Sequence, residues 1–210
     1  MDGVLSNFIG PYQLIGRLLQ EAGVARARDL AADDHAYILR TALDPALARM
    51  MSDPLDYYGD LPVDVFDKIS AFIEREAFTF WSSLPSFVSD DDRLKMVGLN
   101  AYYDLHYITA RRGDRDIVKE ATFRWLTRGG FPLAGIDHIH VAGAKGQVAY
   151  TLGMGAFIDD DPGKCASMRM AHVPDIFMQA RRYNESINVE GVTRGPLAEY
   201  LAFLESGIAE

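Results

Sequence analysis

The chain has 210 residues, 49% of them hydrophobic and 24% charged, which is enough for one sizeable core with a small accessory subdomain and too little to demand two independent domains. Its formal net charge of −9 argues against a long nucleic-acid partner, which needs clustered Lys and Arg, but leaves room for one small phosphate held by a few convergent cations. The single cysteine, Cys165, rules out an intramolecular disulfide and a Cys-based zinc site and fits a reducing compartment.

In chain order, Asp2-Gly3 marks a tight turn at the start of the segment Asp-Gly-Val-Leu-Ser-Asn-Phe. Residues 10–92 read as helical. Leu14, Ile15, Leu18 and Leu19 recur at helical spacing, and residues 64–80 repeat the pattern in Val65, Ile69, Phe72, Ile73 and Phe80. Asp53-Pro54 and Leu61-Pro62 are breakers between them.

From about residue 94 the pattern changes to alternating strand and helix. Short apolar strands are expected at 105–108, 136–142, 155–158 and 175–179. Helices are expected at 116–127, stopped by Gly129-Gly130, at 146–152, ended by Gly153, and at 163–171 and 196–204. This alternation predicts an α/β fold, a parallel sheet covered on both faces by helices. In such sheets ligands bind beyond the C-terminal ends of the strands, so the residues that follow each strand carry the functional reading.

Three of the expected strands lead to residues with chemistry. Thr109 follows the first, Lys145 follows the second, and Asp159, Asp160 and Asp161 follow the third. Carboxylates hold a hard cation such as Mg²⁺, while Thr and Lys donate to phosphate oxygens and offset their charge. Taken singly, each is an ordinary feature: a helix-capping Thr, a solvated Lys, an Asp-rich turn before a helix. Taken together at successive strand ends, they form a coherent set for phosphate chemistry.

These residues resemble the motifs of the haloacid dehalogenase superfamily. Met-Asp-Gly-Val-Leu-Ser-Asn-Phe is similar to the second half of its first motif, Asp-x-Asp-Gly-(Thr/Val)-(Leu/Val). Tyr107-Ile108-Thr109-Ala110-Arg111 is similar to the second, Lys145 to the third, and Phe157-Ile158-Asp159-Asp160-Asp161-Pro162 to the fourth. Within the superfamily the chain most resembles the 5′(3′)-deoxyribonucleotidase-like phosphatases. The resemblance lies in Leu5-Ser6-Asn7-Phe8, in Phe80-Trp81-Ser82-Ser83-Leu84-Pro85 and in Tyr183-Asn184.

The resemblance implies a Rossmann-like core from residues 1–9 and 93–210, with a helical cap from residues 10–92 inserted after the first motif. It implies a Mg²⁺-dependent phosphatase acting on small phosphorylated substrates, nucleoside monophosphates above all. Asp2 would be the general acid and base, with its carbonyl on Mg²⁺. Asp160 would be a metal ligand supported by Asp159. Thr109 and the Ala110 amide would hold phosphate oxygens, and Lys145 would neutralise charge around them. Phe8, Phe80, Trp81 and Arg111 would meet the substrate base. The family's nucleophilic Asp aligns one position before Met1, and the central strand that delivers it is largely missing from this sequence. The resemblance therefore predicts little phosphatase activity for these residues alone, and activity once the upstream codons are restored.

Three other readings stay open. One is a phosphatase for sugar phosphates or polynucleotide 3′-ends. The second is a non-catalytic homologue that retains the phosphate pocket. The third is a His-based metal site suggested by His138-x-His140, whose side chains share one face of a strand; no third ligand stands at useful spacing, with His106 and His172 elsewhere in the chain. No run of some 18 apolar residues and no basic-then-apolar leader is present, so a cytoplasmic location without membrane contact is expected. The oligomeric state is not legible, and a homodimer is compatible with these residues.

Overall fold

The computed structural model describes residues 1, 4–50 and 61–208. Asp2, Gly3 and the Asp53-Pro54 breaker lie outside the described residues.

The helical segment comprises α1 (Ile9–Glu21), α2 (Ala32–Ala42), α3 (Pro45–Met50), α4 (Val63–Arg75) and α5 (Ala77–Ser83). Helix α4 starts directly after the Leu61-Pro62 breaker. Its buried face is Val65, Ile69, Phe72 and Ile73, the apolar stripe of an amphipathic helix. The expected continuous helix over 64–80 breaks at Glu76, whose backbone leaves helical geometry at φ −105°, ψ 21°. Phe80 and Trp81 therefore belong to a separate short helix, α5, which packs along α7 (Arg115–Arg128).

Helix α1 approaches α3 closely. A Cβ built on Gly10 would lie 2.2 Å from the Ala48 carbonyl oxygen, so only glycine fits there. The same carbonyl accepts a 2.9 Å hydrogen bond from Asn7 Nδ2. The chain enters and leaves the helical segment at one place. Ser6 and Ser86 form an antiparallel bridge, Asn7 N–H donates to Pro85 O at 2.7 Å, and Phe87 N–H donates to Leu5 O at 2.9 Å.

After α6 (Asp90–Leu99) come β1 (Tyr107–Thr109), α7, β2 (Ile139–Val141), α8 (Lys145–Leu152), β3 (Ala156–Asp159), α9 (Pro162–Met170), β4 (Asp175–Gln179), β5 (Thr193–Gly195) and α10 (Leu197–Ser206). Side chains cap some of these helix starts. Asp114 accepts from the Asp116 and Ile117 amides to open α7, and Asp161 accepts from Gly163 and Lys164 with Pro162 at the first turn of α9. Gly153, at φ 61°, supplies the left-handed cap that ends α8.

Every named strand pair is parallel, and helices flank the strands, so the fold is mixed α/β. Among the described residues the strands form two sheets, β1-β2 and β3-β4-β5, where a single sheet was expected. Strands β1 and β3 do not pair with each other. The strands also differ from expectation: β1 covers Tyr107–Thr109 where 105–108 was expected, and β3 covers Ala156–Asp159 where 155–158 was expected. The start of the 136–142 run is a 3₁₀ turn, Ile136–His138, and β2 begins at Ile139. Strand β5 was not expected at all, because Thr-Arg-Gly is short, mostly exposed and lacks an apolar run.

One apolar cluster joins the helical segment to the α/β part, with Phe72, Phe80, Ile15, Leu126 and Ile139 among its most deeply buried members. Each such side chain contributes about 1.5–3 kcal/mol by leaving water. A second cluster, including Ile108, Phe157, Cys165, Met168 and Met178, seals β1, β3 and β4 against α8 and α9. Among the described residues no helix is long and apolar enough to cross a membrane.

Candidate functional site

A cleft of about 460 Å³ lies where the helical segment faces the C-terminal ends of β1 and β3. Its floor is Ala110, Lys145, Asp159 and Asp160; Phe8, Tyr12, Phe66 and Trp81 form an aromatic wall. Strand geometry brings the floor together. Thr109 is the last residue of β1, Asp159 is the last of β3, and Lys145 opens α8 just after β2.

Lys145 is buried at 6% exposure, although a lysine in a Gly-rich stretch ordinarily faces solvent. Its Nζ donates to Asp159 Oδ2 at 2.5 Å, and Asp159 is itself 2% exposed. The other oxygen, Asp159 Oδ1, accepts from the Asp161 amide at 3.1 Å. Burial opposes ionisation of Asp159. The charge and hydrogen bond of Lys145, the amino group of Met1 and the Asp161 amide outweigh it and hold the carboxyl below its ordinary value.

Asp160 is its electrostatic opposite. Burial, reinforced by the neighbouring Asp159 charge, pushes its pKa up to about 7. The Tyr183 hydroxyl donates to Asp160 Oδ2. Asn184 Nδ2 donates at 2.9 Å both to the Asp160 carbonyl and to that of Gln179. Asn184 Oδ1 accepts from Arg194 Nε at 3.0 Å and from the Arg181 amide at 2.9 Å. The 3₁₀ turn at Arg182–Asn184 and β5 thus brace the acidic loop from behind. Cys165 lies beneath the same loop. Burial, with the carboxylates beside it, pushes its thiol up to about 12, which leaves it unreactive.

The sequence-derived residues separate into groups. Ala110, Lys145, Asp159, Asp160, Phe8, Trp81 and Arg111 all line the cleft. Thr109 is fully buried just below, and its Oγ1 accepts from the Arg111 amide at 3.4 Å. Phe80 is fully buried and meets Trp81 edge-on at 4.8 Å, on the core side of the aromatic wall. Arg111 is 5% exposed and lies over the faces of Trp81 and Trp125, and its guanidinium donates to Thr122 Oγ1 at 2.8 Å. Its described contacts tie α5 to α7. Asp2 lies outside the described residues.

Several lining residues were not singled out from sequence. Tyr12 follows Phe8 at i+4 on the start of α1, so helical spacing could have found it. Its ring centroid lies 5.2 Å from that of Phe8. Phe66 and Ser70 sit one position after the buried Val65 and Ile69 of α4, and no local signal marks them. Arg112 reaches Ser70 Oγ at 2.8 Å and so links the rim of the core to α4.

The histidines assemble elsewhere. Asp104, His106 and His138 bring one ligand atom each within 4.8 Å of one another, just before β1 and β2 begin. His140 joins them through a 3.0 Å contact between its Nε2 and His106 Nδ1. The group therefore pairs His138 with His106 across the sheet, and not with His140 as the spacing suggested, since His138 lies in the 3₁₀ turn before the strand. No family model and no curated protein matches the chain.

Proposed function

We propose that this chain forms the phosphate-handling body of a Mg²⁺-dependent phosphomonoesterase of the haloacid dehalogenase type, acting on nucleoside monophosphates. The observation that carries the reading is the convergence of Lys145, Asp159 and Asp160 with the Ala110 backbone at the C-terminal ends of two parallel strands, beneath an aromatic wall.

The residues fit a divalent cation. Two adjacent buried carboxylates share one site, and burial, with the repulsion from Asp159, raises the Asp160 pKa to about 7, so a cation there would favour its ionised form. Asp159 and Asp160 are hard oxygen donors of the kind Mg²⁺ prefers. When bound, Mg²⁺ would offset charge on the phosphoryl oxygens.

The chain's own groups supply the rest. Lys145 stands ready to share its charge between Asp159 and a phosphoryl oxygen. The Ala110 amide would donate to a second oxygen, and Thr109, the last residue of β1, would anchor the strand end beside it. Phe8, Tyr12 and Phe66 offer faces for a nucleobase, which stacks with little demand on base identity. In the proposed reaction a carboxylate attacks phosphorus and the P–O bond to the nucleoside breaks. Asp2 gives the leaving oxygen its proton and then takes one from the water that hydrolyses the acyl phosphate.

The reading places the attacking carboxylate just before Met1. Two observations support that position. The Met1 amino group is close enough to Asp159 and Asp160 to favour ionisation of both. A second cleft, of about 780 Å³, separates β1 from β3 and is lined by Met1, Val4, Tyr107, Ile108, Phe157 and Ile158 among others. An apolar strand laid parallel in that cleft would join the two sheets into one and deliver its last residue beside the acidic loop.

The test is to express the chain with its upstream codons and measure phosphate release from a panel of nucleoside and sugar monophosphates with Mg²⁺. Turnover of nucleotides over sugar phosphates supports the reading. A folded extended protein that binds phosphate esters without hydrolysing them favours a binding protein instead.

A further inference from the structure

The three-histidine cluster stands at the opposite end of β1 from the proposed phosphate site, roughly 10 Å away by strand rise. The parallel register that pairs Tyr107 with Ile139 and Ile108 with His140 also sets His106 beside His138, one step earlier on each chain. Their rings stack with centroids 4.5 Å apart and planes 5° from parallel. One carboxylate straddles the pair: Asp104 Oδ2 lies 3.2 Å from His106 Nε2, and Asp104 Oδ1 lies 3.1 Å from His138 Nδ1. The imidazoles are largely shielded, at 15% and 23% exposure, while the carboxylate is 71% exposed, so an ion can enter from solvent.

We propose that Asp104, His106 and His138 form a binding site for a Zn²⁺-class transition ion, with solvent as the remaining ligand. The donor set selects the ion. Imidazole nitrogens suit Zn²⁺, Ni²⁺ and Co²⁺ and are poor partners for Mg²⁺. In tetrahedral zinc sites, bonds of about 2.0–2.2 Å place ligand atoms roughly 3.3 Å apart, and the three ligand atoms here already lie within 4.8 Å of one another. His140 supplies the outer-shell contact that metal-bound imidazoles typically have, through its Nε2 on His106 Nδ1.

In the metal-free arrangement, the His106 Nε2 and His138 Nδ1 protons can satisfy Asp104. Binding replaces those protons with the ion, and each neutral ring then carries its proton on the other nitrogen, His106 on Nδ1 facing His140 Nε2. The parallel rings hold these nitrogens side by side, and binding turns one ring towards the other on the open side at Asp104. The bound ion clips the lead-in to β1 to the lead-in to β2.

The experiment is calorimetric titration of the chelator-stripped chain with ZnCl₂ in the presence of excess Mg²⁺, paired with the visible spectrum of the Co²⁺-loaded protein. One equivalent is expected to bind, with a Co²⁺ spectrum of tetrahedral type carrying imidazole ligands. His106→Ala and His138→Ala should each weaken binding at least 10-fold, as should the milder Asp104→Asn. His140→Phe should weaken it about 10-fold. His172→Ala and Asp160→Asn should leave it unchanged. Circular dichroism of each variant separates lost ligation from lost fold. Absence of one-to-one binding overturns the proposal, and so does binding that survives in His106→Ala/His138→Ala or disappears in Asp160→Asn. None of these readouts depends on phosphatase activity.

Discussion

Lys145 Nζ and Asp159 Oδ2 meet at 2.5 Å with both side chains removed from solvent. A buried pair of this kind is costly to break from one side, because the surviving charge keeps its desolvation penalty and loses its compensation. Lys145→Ala should therefore lower stability by about 3–5 kcal/mol in urea denaturation. Adding Asp159→Asn should recover part of that loss. If the double variant is no more stable than Lys145→Ala, the pair is not the source of the effect.

Two glycines in helices should respond to alanine in opposite directions. At Gly10 the added Cβ meets the Ala48 carbonyl oxygen at 2.2 Å, and that backbone is held by Asn7. Gly10→Ala should destabilise by about 1–3 kcal/mol despite the better helix propensity of alanine. At Gly98 in α6 nothing lies within 4 Å of the added Cβ. Gly98→Ala should stabilise by roughly 0.5–1 kcal/mol. Thermal melts of the two variants side by side check both signs.

His35 should make the helical segment acid-sensitive. Its ring stacks on Phe72 at 4.1 Å, and its Nε2 is buried with no hydrogen-bond partner. Burial lowers its pKa below the ordinary 6.5, against a smaller opposing pull from Glu76. The unfolded chain then takes up a proton at a higher pH than the folded one. The stability linked to neutral His35 is fully present above pH 6.5 and is lost as pH falls through the folded-state pKa. His35→Phe keeps the stacking and removes the titration. Its melting temperature should fall less steeply than that of the parent as pH drops below about 6.5. Parallel profiles would refute this.

The site was more legible than the sheet around it. That Lys145, Asp159 and Asp160 meet in one cleft was legible because α/β chains bring together the residues that follow their strands, and apolar runs such as 155–158 are readable as strands. Three things escaped for different physical reasons. Strand β5 pairs through backbone bonds that Thr193-Arg194-Gly195 does not advertise in its side chains. The break at Glu76 is a backbone departure within an unbroken amphipathic pattern. The meeting of His106 with His138 depends on the register between β1 and β2, a long-range property that spacing along one strand cannot reveal. Trp81 and Phe80 show the same limit at close range. Adjacent aromatics on one helix are separated by only its rotation, one lining the cleft and the other the core.

The proposed chemistry rests on Lys145 acting on a phosphoryl group beside the acidic loop. The most direct measurement is steady-state phosphate release from a nucleoside monophosphate, with Mg²⁺, by the chain extended upstream of Met1 and by its Lys145→Arg variant. Lys145→Arg keeps a buried cation while moving its charge. The account predicts turnover in the parent and a loss in kcat of at least about 100-fold in the variant, with the fold intact by circular dichroism. A folded extended parent that releases no phosphate, or a variant that turns over as fast as the parent, would contradict it.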